Sequence, residues 1–210
     1  MKMQELDHTR LIALVGGIGS GKSVVSRILR VLGYDVYDCD SQAKILMSES
    51  DHIKRHIFEE IAENAVECCN RDWRTAKINK QVLSDIVFND TEKLAILNRL
   101  VHKAVKLDIQ QWHWNIKQHH KRIAFVETAI LYTSGLDAIV DGIWYIKAPE
   151  ELRILRVISR DTVPQHKIIE RINSQKAEYM MLETAISNGK CIIIDNDNCH
   201  ALLPQIMKLI

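Results

Sequence analysis

Leu11-Ile12-Ala13-Leu14-Val15-Gly16-Gly17-Ile18-Gly19-Ser20-Gly21-Lys22-Ser23 is the stretch on which the fold turns. Its first five residues form a continuous apolar run ended by glycines, the pattern of a strand buried on both faces of a parallel sheet. Downstream, Val24, Val25, Ile28, Leu29 and Leu32 recur at helical spacing, and Gly33 stands where a C-terminal cap belongs. Between strand and helix, Gly16 to Ser23 fits the phosphate-binding pattern G-x-x-x-x-G-K-[ST]. Glycines there let successive backbone N–H groups turn inward around phosphate oxygens, and the following helix N-terminus adds partial positive charge. Gly17, Ile18, Gly19, Ser20, Gly21, Lys22, Ser23 and Val24 are therefore the candidate nucleotide contacts. Lys22 is expected to reach the β- and γ-phosphates of ATP, and the Ser23 hydroxyl to ligate Mg²⁺.

Working outward, residues 34–37 read as a second strand, with Asp38-Cys39-Asp40 at its end and a helix over 41–47. From about residue 51 to 118 the spacing is helical and no strand is expected. Asn89, with Glu92 three residues on, resembles a capping box opening a helix that carries Leu94, Leu97, Val101 and Ala104 on one face. Residues 123–126 and 143–146 read as two more buried strands. Pro149 followed by Glu150 and Glu151 marks a helix start suited to the macrodipole. A polar, arginine-rich helical stretch then runs to about Gly189, followed by a last strand over 191–194 and a short helix over 202–209. This alternation implies an α/β fold, a parallel sheet flanked by helices, in a chain of the usual single-domain length. Three blocks are expected within it: a core of about residues 10–50, 121–150 and 188–210, a helical insertion over 51–120, and a helical segment over 151–187.

Composition narrows the class. Of 210 residues, 47% are apolar and 26% charged, as in ordinary globular proteins. A net charge of +1, with Lys and Arg spread along the chain, advertises no face for nucleic acid or an anionic membrane. The apolar run after the polar start breaks at Gly16, too early for a signal-peptide core or a membrane span, so a cytoplasmic location is expected. Five cysteines, with Cys68 and Cys69 adjacent, give neither a disulfide framework nor a C-x-x-C pair.

The carboxylates choose among phosphate-loop proteins. The chain carries no N-K-x-D guanine-reading tetrapeptide, and one domain leaves no room for the repeated modules of most motor ATPases. A kinase acting on a small molecule is favoured. Asp38 and Asp40, read at the end of the second strand and two residues apart, are expected to face the ligand crevice of an open parallel sheet. One would accept the proton of a substrate hydroxyl and the other support the metal or orient its neighbour. The alternative is that both are turn residues. Glu127, following the strand over 123–126, is a candidate for the acidic residue that supports the metal, the alternative being a plain strand-end charge. Trp112, His113, Trp114, His119 and His120 cluster in sequence, but their spacing distributes them around a helix. The rivals are a shikimate-type or nucleotide kinase, and a nucleotide-dependent switch without transfer chemistry. Shikimate kinases carry G-G-G before the third strand, where this chain has His119-His120-Lys121-Arg122.

The loop, followed by Gly33 and Asp38-Cys39-Asp40, resembles the dephospho-coenzyme A kinase family, which carries G-G-I-G-S-G-K-[ST] and D-A-D there. Val101-His102 is similar to its I-H-P, Ser134-Gly135-Leu136 to its E-S-G-L, and Ala148-Pro149-Glu150-Glu151 to its A-P-E-E. Arg156 and Arg160-Asp161 resemble its E-R-x-x-x-R-D, Arg171-Ile172 with Gln175 its R-I-x-x-Q, and Ile194-Asp195-Asn196 its closing I-D-N. The resemblance spans about residues 11–197. It implies ATP-dependent phosphorylation of the ribose 3′-hydroxyl of dephospho-coenzyme A, with a nucleotide core, a helical acceptor-binding region and a lid; a monomer is the expectation, although no residue pattern fixes the oligomeric state. It also implies Asp40 as general base, Arg156 and Arg160 as lid arginines over the triphosphate, and His102 as a substrate contact. Three places depart from the family. Lys103 replaces its proline, Ala129-Ile130-Leu131-Tyr132-Thr133 its P-L-L-F-E, and Arg153 its glutamine after A-P-E-E-x.

Overall fold

A computed structural model describes residues 9–68, 70–118, 122–161 and 164–210. In chain order the elements are β1 (Arg10–Val15), α1 (Lys22–Val31), β2 (Asp35–Asp38), α2 (Cys39–Glu49), α3 (Asp51–His56), β3 (Val66–Glu67), β4 (Lys77–Ile78), α4 (Lys80–Asn89) and α5 (Thr91–Lys117). There follow β5 (Ile123–Glu127), β6 (Gly142–Lys147), α6 (Glu150–Arg160), α7 (Gln165–Ser174), α8 (Lys176–Ser187), β7 (Cys191–Asp195) and α9 (Leu202–Met207). The chain divides into two compact units, 1–38 with 112–210, and 39–111.

The first unit is built on a five-stranded sheet of order β2-β5-β1-β6-β7 with every pair parallel. Central β1 has neighbours on both edges, which is why Leu11–Val15 are all buried and why an unbroken apolar run was needed there. Ile12, Leu14, Phe125, Trp144, Ile146 and Ile194 pack with Val25 and Leu29 of α1 and Ile206 of α9. A smaller cluster joins Val157 of α6 to Ile168 and Ile172 of α7, with Ile18 of the loop against it. In parallel sheets the ligand crevice lies at the carboxyl ends of the strands. Register places Leu14, Glu127 and Asp38 side by side there.

The second unit has its own core of Ile53, Ile57, Ile61, Ala65, Val66, Ala76 and Leu83. Two expectations fail within it. The block read as wholly helical contains the antiparallel pair β3–β4, only two residues per strand and too short to leave a period-two pattern. The cap of α5 is Asp90, whose Oδ1 accepts from the Glu92 and Lys93 amides at 3.1 and 3.0 Å, while Asn89 ends α4. The two helices abut with one residue between them, so the earlier polar residue mimicked a cap. A third correction concerns Asp40. It lies in the first turn of α2, one residue past the Cys39 that opens the helix, so it does not share a strand face with Asp38.

Among the described residues no helix is long and apolar enough to cross a membrane. His119, His120, Lys121 and Cys69 lie outside the described residues. The other members of the aromatic and histidine cluster diverge as their spacing implied. Trp112 stands edge-on to Tyr37 at 5.3 Å, His113 Nε2 lies 2.8 Å from the Thr9 carbonyl, and Trp114 is exposed.

Candidate active site

Leaving β1, the backbone turns through Gly16–Gly21 and enters α1 at Lys22. Gly21 is the N-cap at φ 97°, and Gly19 has φ 76°, both left-handed values that a side chain resists. The turn closes on a Ser20 amide donating to the Gly17 carbonyl at 3.1 Å. Lys22 bends back over the loop, its Nζ donating to the Gly16 carbonyl at 2.7 Å and the Gly17 carbonyl at 3.4 Å. Ser23 and Val24 are exposed in the first helical turn. The Ser20 hydroxyl is buried with no hydrogen-bond partner among the described residues.

Three neighbours hold the loop from outside. From the turn after β7, Asn196 Nδ2 donates to the Ser20 carbonyl at 2.7 Å. At the joint between α7 and α8, Gln175 Oε1 accepts from the Ile18 amide at 3.1 Å. From α6, the Arg153 carbonyl stands where a Cβ on Gly19 would go, and Arg153 Nη1 with the Tyr179 hydroxyl occupies the Cβ position of Gly17.

Glu127 and Asp38 are register partners at the ends of β5 and β2. Burial pushes the Glu127 carboxyl above the usual carboxylate range, and the Asp38 charge adds to this. Ser26, Lys22 and Arg30 act the other way. The Ser26 hydroxyl lies beside this carboxylate without reaching hydrogen-bond geometry. Oxygen donors in a buried, electron-rich corner beside a phosphate loop suit a hard cation, which takes one or two carboxylates and otherwise phosphate and water. Among the described residues no group of three or more acidic, His or Cys side chains could bind a metal by itself.

Arg156 Nη2 donates to the Asn196 carbonyl at 3.0 Å and to Asn198 Oδ1 at 2.6 Å, while its Nη1 is buried and unpartnered among the described residues. Arg160 is exposed and forms two hydrogen bonds to Asp161, at 2.9 and 2.8 Å. In the second unit, His102 lies on α5, and burial lowers its pKa, keeping the imidazole neutral at physiological pH.

A family profile described as dephospho-CoA kinase matches residues 10–201. The chain belongs to the dephospho-CoA kinase family. A dephospho-CoA kinase of Bacteroides fragilis is 34% identical over 95% of this chain and 90% of its own length, and one of Porphyromonas gingivalis 31% identical over 95% and 92%. The fold matches a crystal structure from Thermus thermophilus with TM-score 0.74 at 25% identity, covering 96% of each chain. It also matches a dephospho-CoA kinase of Campylobacter jejuni with TM-score 0.66 at 23% identity, covering 96% and 98%. The reaction is the last step of coenzyme A synthesis: ATP phosphorylates the ribose 3′-hydroxyl of dephospho-CoA, giving CoA and ADP.

Against the dephospho-CoA kinase pattern, the departure at Thr133 has a structural counterpart. Glu178 of α8, only 4% exposed, accepts from the Tyr132 amide at 2.8 Å and from the Thr133 amide and hydroxyl at 3.0 and 2.9 Å. The carboxylate that meets Thr133 here comes from a distant helix and accepts from its amide and hydroxyl. Asn196 and Gln175 belong to dephospho-CoA kinase motifs legible in the sequence, although no role could be read for them there. Arg153 stood out only as a departure from that pattern, and Tyr179 and Glu178 carried no sequence signal.

Proposed function

We propose that Asp40 is the general base of the dephospho-CoA kinase reaction, with the loop Gly17–Val24 holding the ATP phosphates. The single observation that carries the nucleotide half is the fixed cradle, closed by Asn196 and Gln175, with the buried Ser20 hydroxyl left without a partner among the described residues. On binding, Lys22 exchanges its two loop carbonyls for the β- and γ-phosphates, a charge-assisted bond in place of neutral ones. Ser23 and Glu127 are the residues we assign to Mg²⁺, which when bound neutralises charge on the phosphates. The raised pKa of Glu127 supports this, because a buried carboxylate with an acidic neighbour is relieved by a nearby cation.

Asp40 takes the proton of the ribose 3′-hydroxyl as that oxygen attacks the γ-phosphorus. The new P–O bond forms as the bond to ADP breaks, and ADP leaves with the electron pair. Arg156 stabilises the transferring group through its unpartnered Nη1, and Arg160 joins it once released from its exposed pair with Asp161. We assign α6–α8 as the lid, the helices of the second unit to acceptor binding with His102 as a substrate contact, and the monomer as the working unit.

The test is ADP release from purified protein with Mg²⁺ and ATP, with and without dephospho-CoA, in wild type and Lys22→Ala. Acceptor-dependent ADP in wild type, lost in the variant, is expected. Full activity in Lys22→Ala would remove the phosphate loop from the mechanism.

A further inference from the structure

Arg153 is the buried cation of α6, only 6% exposed, and it is neither of the two arginines that the family pattern points to. A buried guanidinium must find compensation. Among the described residues its carboxylate partner is Glu150, with Oε2 at 3.3 Å on a side chain 63% exposed, so the pairing is to a solvated anion and is weakened by water. Its other partner is the neutral Tyr179 hydroxyl, and the guanidinium also stands 5.2 Å from the centre of that ring.

The pair touches the loop at two points. Gly17 is bare because Arg153 Nη1 and the Tyr179 hydroxyl fill the space of its side chain, and Gly19 because the Arg153 carbonyl fills its own. The Tyr179 oxygen accepts from Arg153 Nη1 and lies against the Gly17 backbone, where a Cβ would sit. Burial pushes its phenol up to about 12, so the hydroxyl stays neutral and keeps its proton. One lone pair takes Arg153, and the hydroxyl proton remains to donate.

We propose that Arg153, oriented by Tyr179, is a positioning residue for the triphosphate of ATP, bracing the Gly17–Gly19 arc and placing a buried positive charge behind it. Arg153 acts through the loop, and in this chain it stands where the family pattern has a neutral glutamine. The inference rests on the loop being the ATP site, which the Lys22→Ala control tests separately.

The experiment is steady-state kinetics with both substrates for Arg153→Gln, Arg153→Lys and Tyr179→Phe, alongside Lys22→Ala and thermal unfolding of each. Glutamine is the family's own residue here, so Arg153→Gln removes the charge with a side chain that the fold accommodates. The expected result is a KM for ATP raised about tenfold or more in Arg153→Gln, with the KM for dephospho-CoA within about twofold of wild type. Arg153→Lys should recover part of the loss, and Tyr179→Phe should shift the KM for ATP the same way by less. If Arg153→Gln does not fold, Tyr179→Phe and Arg153→Lys carry the test. An unchanged KM for ATP with Lys22→Ala inactive overturns the proposal and leaves the pair as packing. Equal rises in both KM values with a lowered Tm overturn it too. Full activity in Lys22→Ala takes away the site on which it stands.

Discussion

Replacing Glu178 by glutamine removes one charge and keeps the shape of the side chain, so packing is unchanged and the hydrogen bonds alone are tested. In the folded protein Glu178 Oε1 accepts from the Tyr132 amide, and Oε2 from the Thr133 amide and hydroxyl. Glutamine can keep its oxygen on only one of these sets. With the oxygen on Thr133, its NH₂ group faces the Tyr132 N–H, donor against donor. The loss is one charge-assisted bond and the charge assistance of the others, about 2–4 kcal/mol with the freed amide partly solvated. For a chain of this size each kcal/mol moves Tm by roughly 2–4 °C, so Tm should fall by roughly 4–16 °C. Circular dichroism melts of wild type and variant read this directly. Thr133→Val, which deletes only the hydroxyl donor, should cost about 0.5–1.5 kcal/mol. A Glu178→Gln melt within about 2 °C of wild type would show that the carboxylate does not hold the Tyr132–Thr133 turn.

Asp40→Asn should reduce turnover roughly 10²- to 10⁴-fold with little change in the KM for ATP, and near-normal turnover removes Asp40 as the base. Glu127→Gln should cut activity while raising Tm at neutral pH. A carboxyl whose folded pKa is raised binds its proton more tightly when folded, so wild-type stability declines as pH rises from the ordinary carboxyl range through the raised value. The Tm gain in this variant should therefore vanish at acidic pH, and a gain that does not depend on pH refutes the cause given. Gly19→Ala must adopt φ 76° and displace the Arg153 carbonyl, so a denaturant midpoint shift worth at least about 1–2 kcal/mol is expected. An unshifted midpoint would mean that α6 does not bear on the loop.

The run Leu11–Val15 and the glycine spacing after it were enough to place the central strand, the phosphate loop and the helix behind it, because each is specified by neighbours a few residues away. The same holds for β5 through β7, whose apolar runs name themselves although Ile192 and Ile193 of β7 are exposed, and for Pro149-Glu150-Glu151 at the start of α6. Strand order, the short pair β3–β4 and the helical setting of Asp40 were not legible. They depend on which segments pair and on where the chain turns, and a two-residue strand carries no period.

Sequence by itself determined the class, the cradle and, through motif order, the reaction. Only the tertiary structure decided what grips the cradle. Asn196, Gln175, Arg153 and Tyr179 lie more than a hundred residues from the loop they touch, and the carboxylate that accepts from Thr133 belongs to Glu178, 45 positions away. Local patterns report a residue's own period and neighbours. Contacts across such separations arise only when α6, α7, α8 and β7 return to the carboxyl edge of one parallel sheet.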